Sequence, residues 1–135
     1  MLFRSIKKIN FNNFINKNNF WNCIESIDYD DSDRLNKEKI KMIIHDSFTQ
    51  KQLITIKDII ENYYERPLQQ LINNDDFLKN LKKQQKKNLI YHIIFKGKNF
   101  YNLVLEDITI SYYLYNLYHN LYDIILNSIN LKRIW

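Results

Sequence analysis

The stretch that decides the fold is Ile110–Trp135, ISYYLYNLYHNLYDIILNSINLKRIW. Ile110, Leu114, Leu117, Leu121, Ile124, Ser128, Leu131 and Trp135 step through it by 4, 3, 4, 3, 4, 3, 4. That spacing is the seam of an α-helix. Tyr115, Tyr118, Tyr122, Ile125 and Ile129 form a second stripe beside it. Asn116, Asn120, Asp123, Asn127 and Asn130 form a third, polar one. Thr109 or Ser111 can cap the start, and Lys132 and Arg133 suit the negative end of the helix dipole. The pattern predicts one amphipathic helix from about Ile108 to Arg133, roughly 40 Å long at 1.5 Å per residue.

Working back from this helix, the rest of the chain carries the same signature. Phe20, Trp21, Ile24 and Ile27 share one helical face. A further helix begins near Ser32 or Asp33 and carries Ile40, Ile43, Ile44 and Phe48. Thr55-Ile56-Lys57-Asp58 has the form of a capping box, so another helix is predicted to start at Thr55 with Ile56, Ile59, Ile60 and Tyr63 inward. Pro67 closes that helix or opens the next one, which is anchored by Leu68, Leu71 and Ile72. Residues 89–105 read two ways. Leu89–Phe95 (LIYHIIF) and Phe100–Leu105 (FYNLVL) flank Lys96-Gly97-Lys98-Asn99, which fits a β-hairpin. Gly97 fits equally well as the residue that ends a long helix.

Composition supports a helical domain. The 135 residues include one Gly and one Pro, whereas a sandwich or barrel needs many tight turns. Hydrophobic residues make up 45%, enough for one ordinary core. The fold expected is mainly α: a single small multi-helix domain over residues 1–135 with a β-hairpin at 89–105 as one option. The core is expected to include Trp21, Ile24, Ile43, Ile44, Ile59, Ile60, Leu114, Leu117, Leu121 and Ile124. The abundance of Asn, Lys, Ile and Tyr is also what an AT-rich coding sequence produces, so these residues carry little weight singly.

Function classes narrow by what the residues can do. A single cysteine, Cys23, forms no internal disulfide and no multi-thiolate zinc site. It fits burial as a small hydrophobe and a reducing, intracellular setting. His45, His92 and His119 are isolated in sequence. Asp75-Asp76 and Glu106-Asp107 fall at element boundaries, where helix-end electrostatics accounts for them. Asp28–Asp33 (DYDDSD) lacks the central Gly and terminal Glu of a calcium loop. One glycine cannot build a phosphate-cradling loop. The expectation is a protein that is not an enzyme and needs no cofactor or metal.

Two positive signals remain. The first is the C-terminal helix. Its five tyrosines between Tyr112 and Tyr122 and its single charge on the polar face fit a helix enclosed by a partner. The leading expectation is therefore an accessory subunit of a larger protein assembly, docking through Tyr115, Tyr118, Tyr122, Ile125 and Ile129. The second is basic. Net charge is +5. Lys79, Lys82, Lys83, Lys86 and Lys87 fall within about 140° of one helical face at about 100° per residue. Lys96 and Lys98 follow, with no acid between Asp76 and Glu106. This face would suit the phosphate backbone of RNA or DNA, as in a ribosomal protein. The order of helices at 55–65, after Pro67 and at 76–87, then a hairpin, also resembles a winged helix.

The first 24 residues hold Arg4, Lys7, Lys8 and Lys17 and no acid, with Leu2, Ile6 and Ile9 on one face. Such a segment reads either as a mitochondrial targeting sequence or as a basic N-terminal helix. No apolar run reaches the length of about 18 residues that a transmembrane segment needs.

Overall fold

The computed structural model describes residues 15–27, 37–115 and 120–134. The expectations for residues 2–14, for the acidic stretch 28–33 and for Leu117 lie outside these residues. In chain order the elements are α1 (Phe20–Glu25), α2 (Lys37–Ser47), α3 (Gln50–Ile59), a π turn (Ile60–Tyr64), α4 (Glu65–Asn74), a 3-10 turn (Leu78–Asn80), α5 (Lys83–Phe95), α6 (Lys98–Glu106), a second 3-10 turn (Ile108–Ser111), α7 (Tyr112–Tyr115) and α8 (Leu121–Ile134). The fold is mainly helical, with no strand among the described residues. No helix among them is long and apolar enough to cross a membrane.

The centre is α5. From Asn88 to Phe95 every residue is buried. The run LIYHIIF lacks a polar face because α4, α6, α7 and α8 pack around it, and a helix covered on all sides is apolar all round. The hairpin reading of 89–105 is thereby replaced by two helices. Gly97 joins them with φ 110, and its N–H donates to Ile94 O at 3.0 Å. A left-handed residue there ends α5 and starts α6 at once. Against it lies Glu25 of α1, whose Oε2 accepts the Lys98 N–H at 2.8 Å.

The start at Thr55 is also corrected. Thr49 caps α3: its Oγ1 accepts the Gln52 N–H at 3.1 Å, and Gln52 Oε1 accepts the Thr49 N–H at 2.9 Å. Starting there brings Leu53 into the helix and the core. Thr55 sits inside α3, its hydroxyl donating to Lys51 O at 3.0 Å.

Pro67 does not separate two helices. It is the third residue of α4, which runs on from α3 through the π turn, so residues 50–74 form one rod about 37 Å long. A proline cannot donate to the carbonyl four residues back and crowds it. The wider turn just upstream, closed by the Glu65 N–H donating to Ile60 O, accommodates that fault. Tyr101 of α6 donates its hydroxyl to Tyr64 O at 2.9 Å and ties the rod to α6. Phe20, Trp21, Tyr64 and Tyr101 pack around this joint, mostly edge to face, with contacting ring centroids 5.0 to 5.6 Å apart. Trp21 is half-buried here.

The long C-terminal helix is not one element. Asp107 caps the 3-10 turn by accepting the Thr109 N–H at 3.0 Å and its hydroxyl at 2.6 Å. Helix α8 begins afresh at Leu121. The apolar seam survives the division: Leu114, Leu121, Ile124 and Ser128 are all buried. Ile24, Ile43, Ile44, Ile59 and Ile60 are buried as expected.

Candidate functional site

Of the stripe expected to meet a partner, the described residues Ile125 and Ile129 turn inward. Ile125 is 0% exposed and Ile129 8%, both within the chain's own core. Tyr122 is half-buried, its ring 4.8 Å from Tyr91 and 5.2 Å from Lys87 Nζ. Tyr118 and the side chain of Tyr115 lie outside the described residues. The tyrosine stripe was legible as apolar. Nothing in its periodicity said which side α2, α3 and α5 would occupy.

The lysines do not share one helix. Lys79 lies in the 3-10 turn, Leu81 and Lys82 are extended, and Lys83 opens α5. The single helical face expected for Lys79, Lys82, Lys83, Lys86 and Lys87 is therefore interrupted, and Leu78 of the 3-10 turn is buried in the core. Lys79 pairs with Asp76 at 3.4 Å. Lys86 donates to Asn73 Oδ1 at 2.8 Å. Lys87 turns inward and donates to both carboxylate oxygens of Glu65 at 2.8 Å. Lys96 lies over the rings of Phe100 and Tyr113. Lys82, Lys83 and Lys98 are exposed. The winged-helix order is absent too: 50–74 is one rod, and 89–105 is helical.

Two polar junctions were not anticipated. Asn88 is buried and caps α8 from outside. Its Oδ1 accepts the N–H groups of Tyr122 at 2.8 Å and Asp123 at 3.3 Å. Its Nδ2 donates to Gln84 O at 3.0 Å and Asp123 Oδ2 at 3.3 Å, and Gln84 donates to the same carboxylate. The second junction flanks the π turn. Lys57 bonds Glu61 at 2.9 Å, and Lys87 approaches Glu61 at 3.9 Å while holding Glu65. The hydrogen bond to Glu61 raises the Lys57 pKa against the opposing effect of burial. Burial, then the charges of Glu61 and Glu65, push the Tyr91 hydroxyl far above the ordinary tyrosine range. Cys23 is buried, which pushes its thiol up to about 11 and leaves it unreactive at neutral pH.

A groove of about 290 Å³ lies between α3 and α8, lined by Ile54, Lys57, Asp58, Leu126, Ile129 and Asn130. Its floor is apolar. Ile54 is 40% exposed. Gln50 Nε2 donates to Ile129 O at 2.8 Å and pins the two helices beside it. Sequence reasoning missed the groove because Ile54 falls off the inward face of α3, and Asp58 was read as half of a capping box.

Among the described residues no group of three His, Cys, Asp or Glu side chains converges on a metal position. His92 is buried and His45 half-buried, and His119 lies outside the described residues. Asp75 and Asp107 cap turns: Asp75 Oδ2 accepts the N–H groups of Phe77 and Leu78, and its Oδ1 accepts the Tyr112 hydroxyl at 2.7 Å. The chain matches no protein-family model, no curated protein and no solved structure.

Proposed function

We propose that this chain is a non-enzymatic accessory subunit that docks onto a protein partner along its C-terminal helix, with the α3–α8 groove as the contact. The groove itself carries the reading. It leaves Ile54 exposed and Leu126 half-buried on either side of a seam that is already pinned by Gln50, so the site is pre-formed. At about 290 Å³ it lies at or below the lower end of small-ligand pockets, roughly 300–1,000 Å³, and it suits one or two apolar side chains of a larger body. Its polar lining consists of one lysine already held by Glu61, one carboxylate and one amide, a set made for orientation rather than bond-making. The C-terminal helix remains the docking element, but Leu126, Ile129 and Asn130 line the contact in place of Tyr122 and Ile125.

The test is recovery of partners from the native source with wild type, Ile54→Glu and a Tyr115, Tyr118, Tyr122 triple-alanine variant. Loss of a reproducible protein partner on Ile54→Glu, with helicity unchanged, supports the groove. Retention of the partner by Ile54→Glu and its loss in the tyrosine variant would return the contact to the stripe. Recovery of no partner by the wild type would remove the reading.

A further inference from the structure

We infer that the partner segment in the α3–α8 groove presents a lysine or arginine next to its apolar side chains and seats that cation on Asp58; this rests on the docking reading above. The two charged residues of the rim differ. Lys57 is neutralised by Glu61 at 2.9 Å. Asp58 is exposed and makes no hydrogen bond or ion pair among the described residues. Among the described residues Asp58 is thus the rim charge that no ion pair holds, beside Ile54, Leu126 and Ile129, in a chain whose net charge is +5.

The arrangement has a direction. Ile54 and Asp58 are one turn apart on α3, so an apolar side chain set on Ile54 places its neighbour one turn along within reach of the carboxylate. Lys51, exposed on the same side of α3, lies about 10 Å from Asp58 along the axis at 1.5 Å per residue. A cation at the Lys51 end would be repelled, and one at the Asp58 end attracted. The Asn130 amide, at the far wall, adds a donor and an acceptor without charge. An amphipathic helix with a basic residue flanking a leucine pair meets these requirements.

The experiment uses two synthetic helical peptides with leucines on one face, one carrying a lysine beside them and its twin a glutamate. Binding to the full chain is read by fluorescence anisotropy at low salt. The lysine peptide is expected to bind wild type about three- to tenfold more tightly than the glutamate peptide, the range a rim charge supplies. Asp58→Lys should reverse that preference, and Ile54→Glu should abolish binding of both. Equal affinity of the two peptides, with both lost on Ile54→Glu, overturns the cation and leaves the groove standing. Binding that Ile54→Glu leaves intact, or no binding of either peptide, overturns the groove and the inference with it.

Discussion

Residues 50–74 and 83–106 each contain one of the two residues that most often break a helix, with opposite results. At Pro67 the chain continues. At Gly97 it stops and restarts. In the first region the defect is spread over a π turn, and the Tyr101 hydroxyl donates to Tyr64 O beside it. In the second it is concentrated in one left-handed residue, and the new helix is capped by Glu25. A breaker specifies a local fault in the hydrogen-bond ladder. Whether that fault becomes a bend or a reversal depends on what is packed against it, because only a neighbour can supply the missing partner or the apolar cover.

The comparison is sharpened first at the core both regions share. Ile60 beside the π turn and Ile94 beside Gly97 are each 0% exposed. Ile60→Ala and Ile94→Ala should each cost about 2–5 kcal/mol in urea unfolding. A cost under about 1 kcal/mol for either would place that region outside the common cooperative unit. Next is Asn88→Ala, which strips the acceptor from the Tyr122 and Asp123 N–H groups; a loss of about 1–3 kcal/mol is expected. Hydrogen exchange should quicken at the start of α8 before the end of α5, and unchanged exchange there would refute the external cap.

Gly97→Ala follows, at about 1–2 kcal/mol for a side chain at positive φ. The added Cβ also meets Glu25 Oε2 at 3.2 Å. Glu25→Ala in the same chain should relieve the contact while leaving the φ cost. Full rescue by Glu25→Ala would mean that crowding, and not backbone conformation, sets the penalty. Pro67→Ala should be smaller, within about 1 kcal/mol of zero in either direction. The variant regains an N–H for the ladder, while its unfolded chain gains freedom. A loss above about 2 kcal/mol would show that the proline holds the rod together rather than being tolerated by it.

The smallest effect concerns acid. Burial alone would raise the Asp75 pKa, but hydrogen bonds from Leu78, Tyr112 and Phe77 outweigh it and hold the carboxyl below its ordinary value. A lowered folded-state pKa adds stability that is present above the ordinary carboxylate range and lost as pH falls through the lowered value. Wild type should therefore melt above Tyr112→Phe at neutral pH, and the gap should narrow below about pH 4. A gap constant down to pH 2 would disprove the linkage.

Of the candidate site, little was legible beforehand. Tyr122, Ile125 and Ile129 were recognisable as an apolar stripe, and a stripe buried by its own domain has the same period as one kept for a partner. The lysines of 79–87 looked like one face because Leu78 and Leu81 were given the same helix as Lys83. Ile54 lies off the inward face and Asp58 fits a capping box; an exposed isoleucine and an acid with no ion pair among the described residues acquire meaning only beside Leu126 and Ile129.

Read alone, the sequence was sufficient for the helical class, for the inward residues of α2, for Ile56, Ile59 and Ile60 but not for Tyr63, which was expected inward and is 49% exposed, and for the 4–3 seam through Leu114, Leu121, Ile124 and Ser128. These rest on local spacing and on the scarcity of Gly and Pro, which act within a turn or two. The tertiary structure alone decided that LIYHIIF is a helix, that Pro67 lies within a rod, that the final helix begins at Leu121, and that Asn88 caps it. Each of these outcomes depends on a group supplied from at least 30 residues away in the chain, by Tyr101 for the rod and Asn88 for α8, or on the helices packed around α5. No local pattern encodes a partner at that distance.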